Sequence, residues 1–284
     1  MKVAIVGLGL IGGSIAKDLR AKGFATSLIG VDANETNGHT ALSLGLVDSV
    51  LPLTQALQKA QVVVLAIPVN AMCRLLPEIL DGITEGTVVL DTGSTKSAIC
   101  KSVMNHPRRS QFVAAHPLAG TENSGPTAAL QGLFQDKMTI LCEVDKSSSA
   151  AVKIAEDIFR HLGMRINYMD SEEHDRHVAY VSHLSHVSSF LLGQTVLDIE
   201  KDEKNIFDLA STGFASTVRL AKSSPDMWAP IFDQNVEYLS QALLEYIMHL
   251  QRFHYHLMKR DTQELHRIMT KANEIRRVLD NKKA

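Results

Sequence analysis

The sequence predicts an α/β protein, with an N-terminal Rossmann-like doubly wound parallel sheet followed by an all-helical C-terminal domain. Three observations lead there. Short, continuously apolar runs alternate with helix-period segments through the first 168 residues, a glycine-rich turn sits at the first strand-to-helix junction, and strand-like runs cease after Asp170. Continuous apolar runs are what a sheet covered on both faces requires. Strand, helix, strand in repetition implies parallel pairing through right-handed crossovers.

Taken in order, the expected strands are Lys2–Val6, Leu28–Val31, Val62–Ala66, Thr87–Leu90, Phe112–Ala115, Met138–Val144 and Arg165–Tyr168. Helical spacing fills Gly9–Lys22, Asn70–Leu80, Thr95–Met104 and Ser149–Leu162. Beyond them, Ser171 is expected to cap a helix whose first turn carries Glu172 and Glu173, where the helix dipole favours acids. Ser223-Ser224-Pro225 restarts another, with proline tolerated at a helix start. Phe232–Met258 carries Leu239, Leu243, Leu244, Ile247, Met248 and Leu250, a wide apolar surface that calls for other helices, of this chain or of a second subunit. Lys271, Arg276, Arg277, Lys282 and Lys283 read as a solvated face. The expected domains are 1–168, for nucleotide binding, and 169–284, for substrate binding and dimerisation.

Composition narrows the function. Lysine plus arginine number 29 against 31 acids, a net charge of −2, which gives no electrostatic basis for a nucleic-acid or anionic-membrane partner. Cys73, Cys100 and Cys142 are odd in number and far apart, so no disulfide framework is expected. No apolar run approaches the roughly 20 residues that span a bilayer. The first strand starts at once, leaving no room for a signal peptide, and a cytoplasmic location is the expectation.

Val6-Gly7-Leu8-Gly9-Leu10-Ile11-Gly12 places Gly-x-Gly-x-x-Gly at a strand-to-helix junction. Gly7 permits the tight turn, Gly9 lets the backbone approach a pyrophosphate, and Gly12 lets helix and strand pack closely. The helix opening at Leu10 and Ile11 directs free N–H groups and its positive dipole end at the phosphates. Asp32 ends the second strand twenty residues after Gly12, where a carboxylate accepts hydrogen bonds from a ribose 2′-hydroxyl and repels a 2′-phosphate. The expected cofactor is therefore NAD, although Asp32 as an ordinary cap remains open. Pro68 stops the third strand beside that site, as a cofactor contact or simply as a strand terminator.

Two later segments lie at carboxyl ends of strands, where an open parallel sheet binds ligands. They are Asp91-Thr92-Gly93-Ser94-Thr95-Lys96 and His116-Pro117-Leu118-Ala119-Gly120-Thr121-Glu122. A histidine there can take the proton of an alcohol as hydride leaves the same carbon. The plainer alternatives are a buried histidine satisfied by backbone and, for Ser94, a cap on the helix that starts near Thr95.

With these motifs, Ser182-His183-Leu184-Ser185-His186, and Gly213-Phe214 through Arg219, followed by Trp228 and Asn235, the chain resembles the prephenate/arogenate dehydrogenase family of tyrosine biosynthesis over nearly its whole length. The resemblance implies an NAD-dependent oxidative decarboxylation of prephenate to 4-hydroxyphenylpyruvate, with arogenate as the alternative substrate. It implies that His116 polarises or deprotonates the ring hydroxyl and that Ser94 hydrogen-bonds the hydroxyl or His116. Arg219 would grip a substrate carboxylate, His186 and His183 would bind substrate from the helical domain, and Glu122 would be an acidic gate at the pocket mouth. A homodimer through the helical domain is implied as well. One departure stands out: many members have an acid three residues before the arginine, where this chain has Ser216, so the group that orients Arg219 is open.

His174, His177, His183 and His186 raise the question of a metal site. At about 100° per residue they fall in two pairs on opposite faces of a helix, and His-Glu-x-x-His is absent, so no metal is expected. A β-hydroxyacid-type dehydrogenase would bring a helix-borne lysine in a Gly-x-x-x-Lys setting, which is absent after Asp170. A regulatory NAD-sensing module would not need His116, Ser94 and Arg219 together.

Overall fold

The computed structural model describes residues 1–201 and 206–280. Eight strands form one sheet: β1 Lys2–Val6, β2 Ser27–Val31, β3 Ser49–Val50, β4 Val62–Leu65, β5 Val88–Asp91, β6 Phe112–Pro117, β7 Met138–Cys142 and β8 Arg165–Met169. The helices between them are α1 Leu10–Ala21, α2 Glu35–Ser43, α3 Leu53–Lys59, α4 Val69–Gly82, α5 Ser97–Ser102 and α6 Ser149–His161. After the sheet come α7 Ser171–Val178, a π-turn at Ala179–His183, α8 Leu184–Glu200, α9 Thr212–Thr217, α10 Pro225–Gln234, α11 Val236–Met258, α12 Thr262–Ala272 and α13 Ile275–Asp280.

The strand order is β3-β2-β1-β4-β5-β6-β7-β8. From β3 to β6 all pairs are parallel; β7 runs antiparallel to β6 and carries β8 parallel to itself. The expected sheet is thus present, with the last two strands reversed. Apolar runs reveal burial but not direction, and the excursion from Leu118 to Lys137 contains no crossover helix, so the chain returns the opposite way.

Why the runs are continuously apolar follows from the register. Successive side chains point to opposite faces, and here both faces are covered. Val3, Ile5, Val62, Val64, Val88, Leu90, Val113 and Ala115 enter one core with Ile15 and Leu19 of α1 and Ala155 and Ile158 of α6. Ala4, Val6, Val63, Leu65, Val89, Phe112 and Ala114 enter the other with Leu76 and Ile79 of α4 and Trp228 and Ile231 of α10. Continuing that alternation along β6 puts His116 on the second face.

No strand follows Ser171 among the described residues. Two helix starts differ from expectation. Asp170, not Ser171, caps α7, accepting from the amides of Glu172 and Glu173 at 2.8 and 3.1 Å, while the Ser171 hydroxyl donates to Glu143 at 2.7 Å. The apolar run expected over Phe232–Met258 is two helices broken at Asn235. The packing defines two compact units, Met1–Val236 and a helical unit from Glu237 onward. Lys271, Arg276 and Arg277 are exposed in the latter, and Lys282 and Lys283 lie outside the described residues.

Candidate active site

Because β1, β4, β5 and β6 are adjacent and parallel, their carboxyl ends bring the glycine turn, Pro68, the Asp91–Lys96 loop and His116 to one edge. At the turn, Gly7 has φ +96°, and a Cβ there would meet Ala66 O at 2.3 Å. A Cβ on Gly12 would meet Gly7 O at 1.9 Å. Both positions therefore require glycine. A Cβ on Gly9 would meet nothing within 4 Å, so the backbone there faces open space. α1 has no side-chain cap, and its first internal bond runs from Gly13 N to Gly9 O at 2.9 Å. The amides of Leu10, Ile11 and Gly12 precede that bond, as the donors of an anion site do. The Asp32 carboxylate accepts from Leu8 N at 2.8 Å and from Asn34 N at 2.9 Å, so it stands against the turn. Asn34, not Asp32, caps α2. Pro68 is exposed at the start of α4. Open space at Gly9, free helix-start amides and a carboxylate beside them fit a dinucleotide with an unesterified ribose.

The Asp91–Lys96 loop is tied to β6 at the residue before His116. Asp91 Oδ1 accepts from Ala115 N at 2.9 Å, and Lys96 Nζ donates to Ala115 O at 2.7 Å and to Asp91 Oδ2. Lys96 and Asp91 have no exposed side-chain surface. Half-buried Ser94 sits on this loop. It does not cap the following helix, which starts at Ser97. The cap comes from another element, because Asp175 on α7 accepts from Lys96 N at 2.7 Å and Ser97 N at 2.8 Å.

His116 is 9% exposed, and its Nδ1 lies 2.8 Å from His174 Nε2. His174 Nδ1 in turn lies 2.8 Å from Asp175 Oδ1. Burial holds the His116 imidazole well below the ordinary histidine pKa, helped by the nearby positive charge of Lys96. Burial also lowers His174, against the opposing pull of Asp175. Asp175 itself is lowered, since its hydrogen bonds from His174 and the α5 amides outweigh the effect of burial.

The network continues. Asn235 Nδ2 donates to Asp175 O at 2.8 Å and lies 3.0 Å from His183 Nδ1. Burial pushes His183 down to about 4, so it is neutral at pH 7. His183 Nε2 and Trp228 Nε1 are buried with no partner among the described residues. Buried polar atoms are rarely left so, and both are available to a ligand. His186 stacks on Trp228 with ring centroids 3.5 Å apart. Arg219, exposed, faces the Glu122 carboxylate at 3.6 Å, while the Ser216 hydroxyl turns back to Gly213 O. The acid beside Arg219 is therefore Glu122.

The opposite-face reading of the histidines does not hold. His174 and His183 are both buried, 0% and 1% exposed, and both reach Asn235 or the Asp175 beside it. The π-turn between them is wider than an α-turn and carries His183 back toward the face of His174. Among the described residues, no three His, Cys, Asp or Glu side chains are grouped to hold a metal ion. Sequence reasoning missed His174 and Asp175 as partners of His116; the adjacent His-Asp pair in the helix after the sheet was the available signal.

A doubly wound sheet with a glycine turn at its first strand-to-helix junction, and a buried histidine at the same edge, is the arrangement of the dinucleotide-dependent dehydrogenase class. Comparison with known proteins narrows this. The model for the prephenate dehydrogenase nucleotide-binding domain matches residues 15–168, and that for its dimerization domain matches residues 170–271. The chain belongs to the prephenate dehydrogenase family. It is 31% identical to the cyclohexadienyl dehydrogenase of Zymomonas mobilis over 88% of this chain and 86% of that one. It is 30% identical to the prephenate dehydrogenase of Bacillus subtilis over 96% of this chain and 75% of that one. The crystal structure of prephenate dehydrogenase from A. aeolicus with hydroxyphenyl propionate and NAD+ superimposes with a TM-score of 0.88 at 30% identity, covering 98% of both chains.

Proposed function

We propose that the chain oxidatively decarboxylates prephenate to 4-hydroxyphenylpyruvate. It is an NAD-dependent oxidoreductase. Gly7, Gly9, Gly12 and the amides of Leu10 and Ile11 would hold the pyrophosphate, Asp32 the adenosine ribose, and Pro68 would flank the cofactor. When bound, NAD supplies the hydride acceptor.

His116 carries the reading, a neutral imidazole at the carboxyl end of β6 with Nδ1 already engaged. It takes the proton of the ring hydroxyl as hydride leaves the same carbon. The carbonyl formed accepts the electron pair released when the ring carboxylate departs as carbon dioxide; the proton returns to that oxygen, and the ring becomes aromatic. Aromatisation makes the step strongly downhill, so orientation and proton transfer are the main demands on the protein. Ser94 would bond the same hydroxyl. Arg219 would hold a substrate carboxylate through paired N–H donors, with Glu122 guarding the mouth, and His183 and His186 would complete the pocket. Residues 1–168 are assigned to the nucleotide and 169–284 to substrate and dimer contacts, in a cytoplasmic homodimer.

Arogenate is the second reading, favoured by the likeness to a cyclohexadienyl dehydrogenase. His116→Asn tests the chemistry. Turnover should fall roughly 100-fold or more with NAD binding unchanged, and near-normal turnover would overturn the assignment. The specificity constants of the wild-type enzyme for prephenate and arogenate decide between the substrates.

A further inference from the structure

Asp175, His174 and His116 form one file of hydrogen bonds whose direction is fixed at one end. The Asp175 carboxylate is occupied by three protein N–H groups: Oδ1 takes Lys96 N at 2.7 Å and His174 Nδ1 at 2.8 Å, and Oδ2 takes Ser97 N at 2.8 Å. An ionised carboxylate only accepts. The proton of neutral His174 is therefore on Nδ1, and its Nε2 is a lone pair. That lone pair faces His116 Nδ1 at 2.8 Å, so His116 must be the donor. Its single proton is on Nδ1, and the remaining nitrogen, Nε2, carries a lone pair. Among the described residues no group bonds to Nε2.

We propose that His174 and Asp175 are positioning residues that fix the tautomer of His116, so that Nε2 is always the basic nitrogen presented to the substrate hydroxyl. The proposal rests on His116 being the base, but what it adds is separate: which nitrogen acts, and what decides it. Asp175 has a second duty. By capping α5 through Lys96 N and Ser97 N it also anchors the end of the loop that carries Ser94, so one carboxylate both sets the tautomer of the base and holds that loop. When His116 accepts the substrate proton on Nε2 it becomes cationic with both nitrogens protonated. Nδ1–H then donates to neutral His174, whose own bond to Asp175 brings a negative charge two groups away. No proton needs to leave the file, and the ring cannot turn without losing the Nδ1 bond.

Wild-type protein labelled with 15N-histidine gives the direct reading: His116 should be neutral at pH 7 with its proton on Nδ1. A spectrum with the proton on Nε2 overturns the proposal, whatever His116→Asn shows. His174→Leu removes the acceptor and should mix the two tautomers of His116 and lower kcat by on the order of 10- to 100-fold, with KM for NAD unchanged; inverting a tautomer in a serine-protease triad costs about 10⁴. His174→Gln can return an amide oxygen to the Nε2 position, so it should restore the Nδ1–H tautomer and most of kcat. Equal impairment in the Leu and Gln variants, or full activity in His174→Leu, would count against a positioning role. Near-normal turnover of His116→Asn with the expected wild-type spectrum would instead remove the base while leaving the tautomer assignment in place.

Discussion

At the scale of single residues, electrostatic neutrality inside and charge at the rim divide the site. His116, His174 and His183 are all buried and held below the ordinary histidine pKa, with burial the largest cause in each. They therefore stand in the interior as neutral hydrogen-bonding groups, with His174 bonded to His116 and to Asp175. The fixed positive charge comes from Arg219, whose side chain is about half exposed and meets Glu122 at 3.6 Å. A surface pair of that length is worth only about 0–1 kcal/mol, so in the proposed reading Glu122 would release the guanidinium to an incoming carboxylate at little cost. Arg219→Ala should raise KM for the substrate by roughly 10-fold or more, as loss of a hydrogen bond to a charged group of about 1.5–3 kcal/mol implies. Its kcat should change much less. An unchanged KM in steady-state kinetics would remove Arg219 from the site. The need for glycine at positions 7 and 12, a carboxylate at the turn in Asp32 and a buried histidine at the same sheet edge in His116 were legible from residue type and spacing, because each answers a local demand. Asp175 was not, since its ligands, the amides of Lys96 and Ser97, lie 79 and 78 residues away.

At the scale of elements, the precision of the site depends on how β5, β6 and α5 are locked. Lys96 does this from inside the protein: its ammonium joins Asp91 at the end of β5 to the Ala115 carbonyl of β6, one residue before His116. Removing one partner of a fully buried pair strands the other charge, at a cost of about 3–5 kcal/mol. Lys96→Met should lower stability to unfolding by that amount, read from the urea midpoint at constant m-value. A loss below about 1 kcal/mol would mean that the pair is not a clamp. The elements themselves were read well where the signal is strong. β1 was found to the residue, and β2, β4, β5, β6, β7 and β8 to within two residues at each end, because their apolar runs are continuous. β3 has two residues, and α2 and α3 are short and partly polar, so periodicity passes over them. The π-turn at Ala179–His183 left no trace in the pattern, and it alone displaced the histidine directions.

At the scale of the whole molecule, the remaining demand is apolar surface on the helices that end the chain. On α11, Leu244, Met248, Leu250, Leu257 and Met258 are each more than half exposed. A soluble monomer rarely leaves so many large apolar side chains together on one helix. The family model matched over residues 170–271 is described as a dimerization domain, and α11 lies inside it. A second copy of the chain, as proposed above, would satisfy both observations, since a two-fold interface lets one surface cover itself. Sedimentation velocity should therefore show a species of about twice the 31.2 kDa chain mass at micromolar concentration. Leu244→Lys combined with Met248→Lys places two like charges from each copy in the contact, and the double variant should sediment as a monomer with its far-ultraviolet circular dichroism retained. A wild-type monomer would overturn the dimer. A double variant that remains dimeric would move the interface off this part of α11, to the other exposed apolar residues of the chain, such as Leu191 and Leu197 of α8.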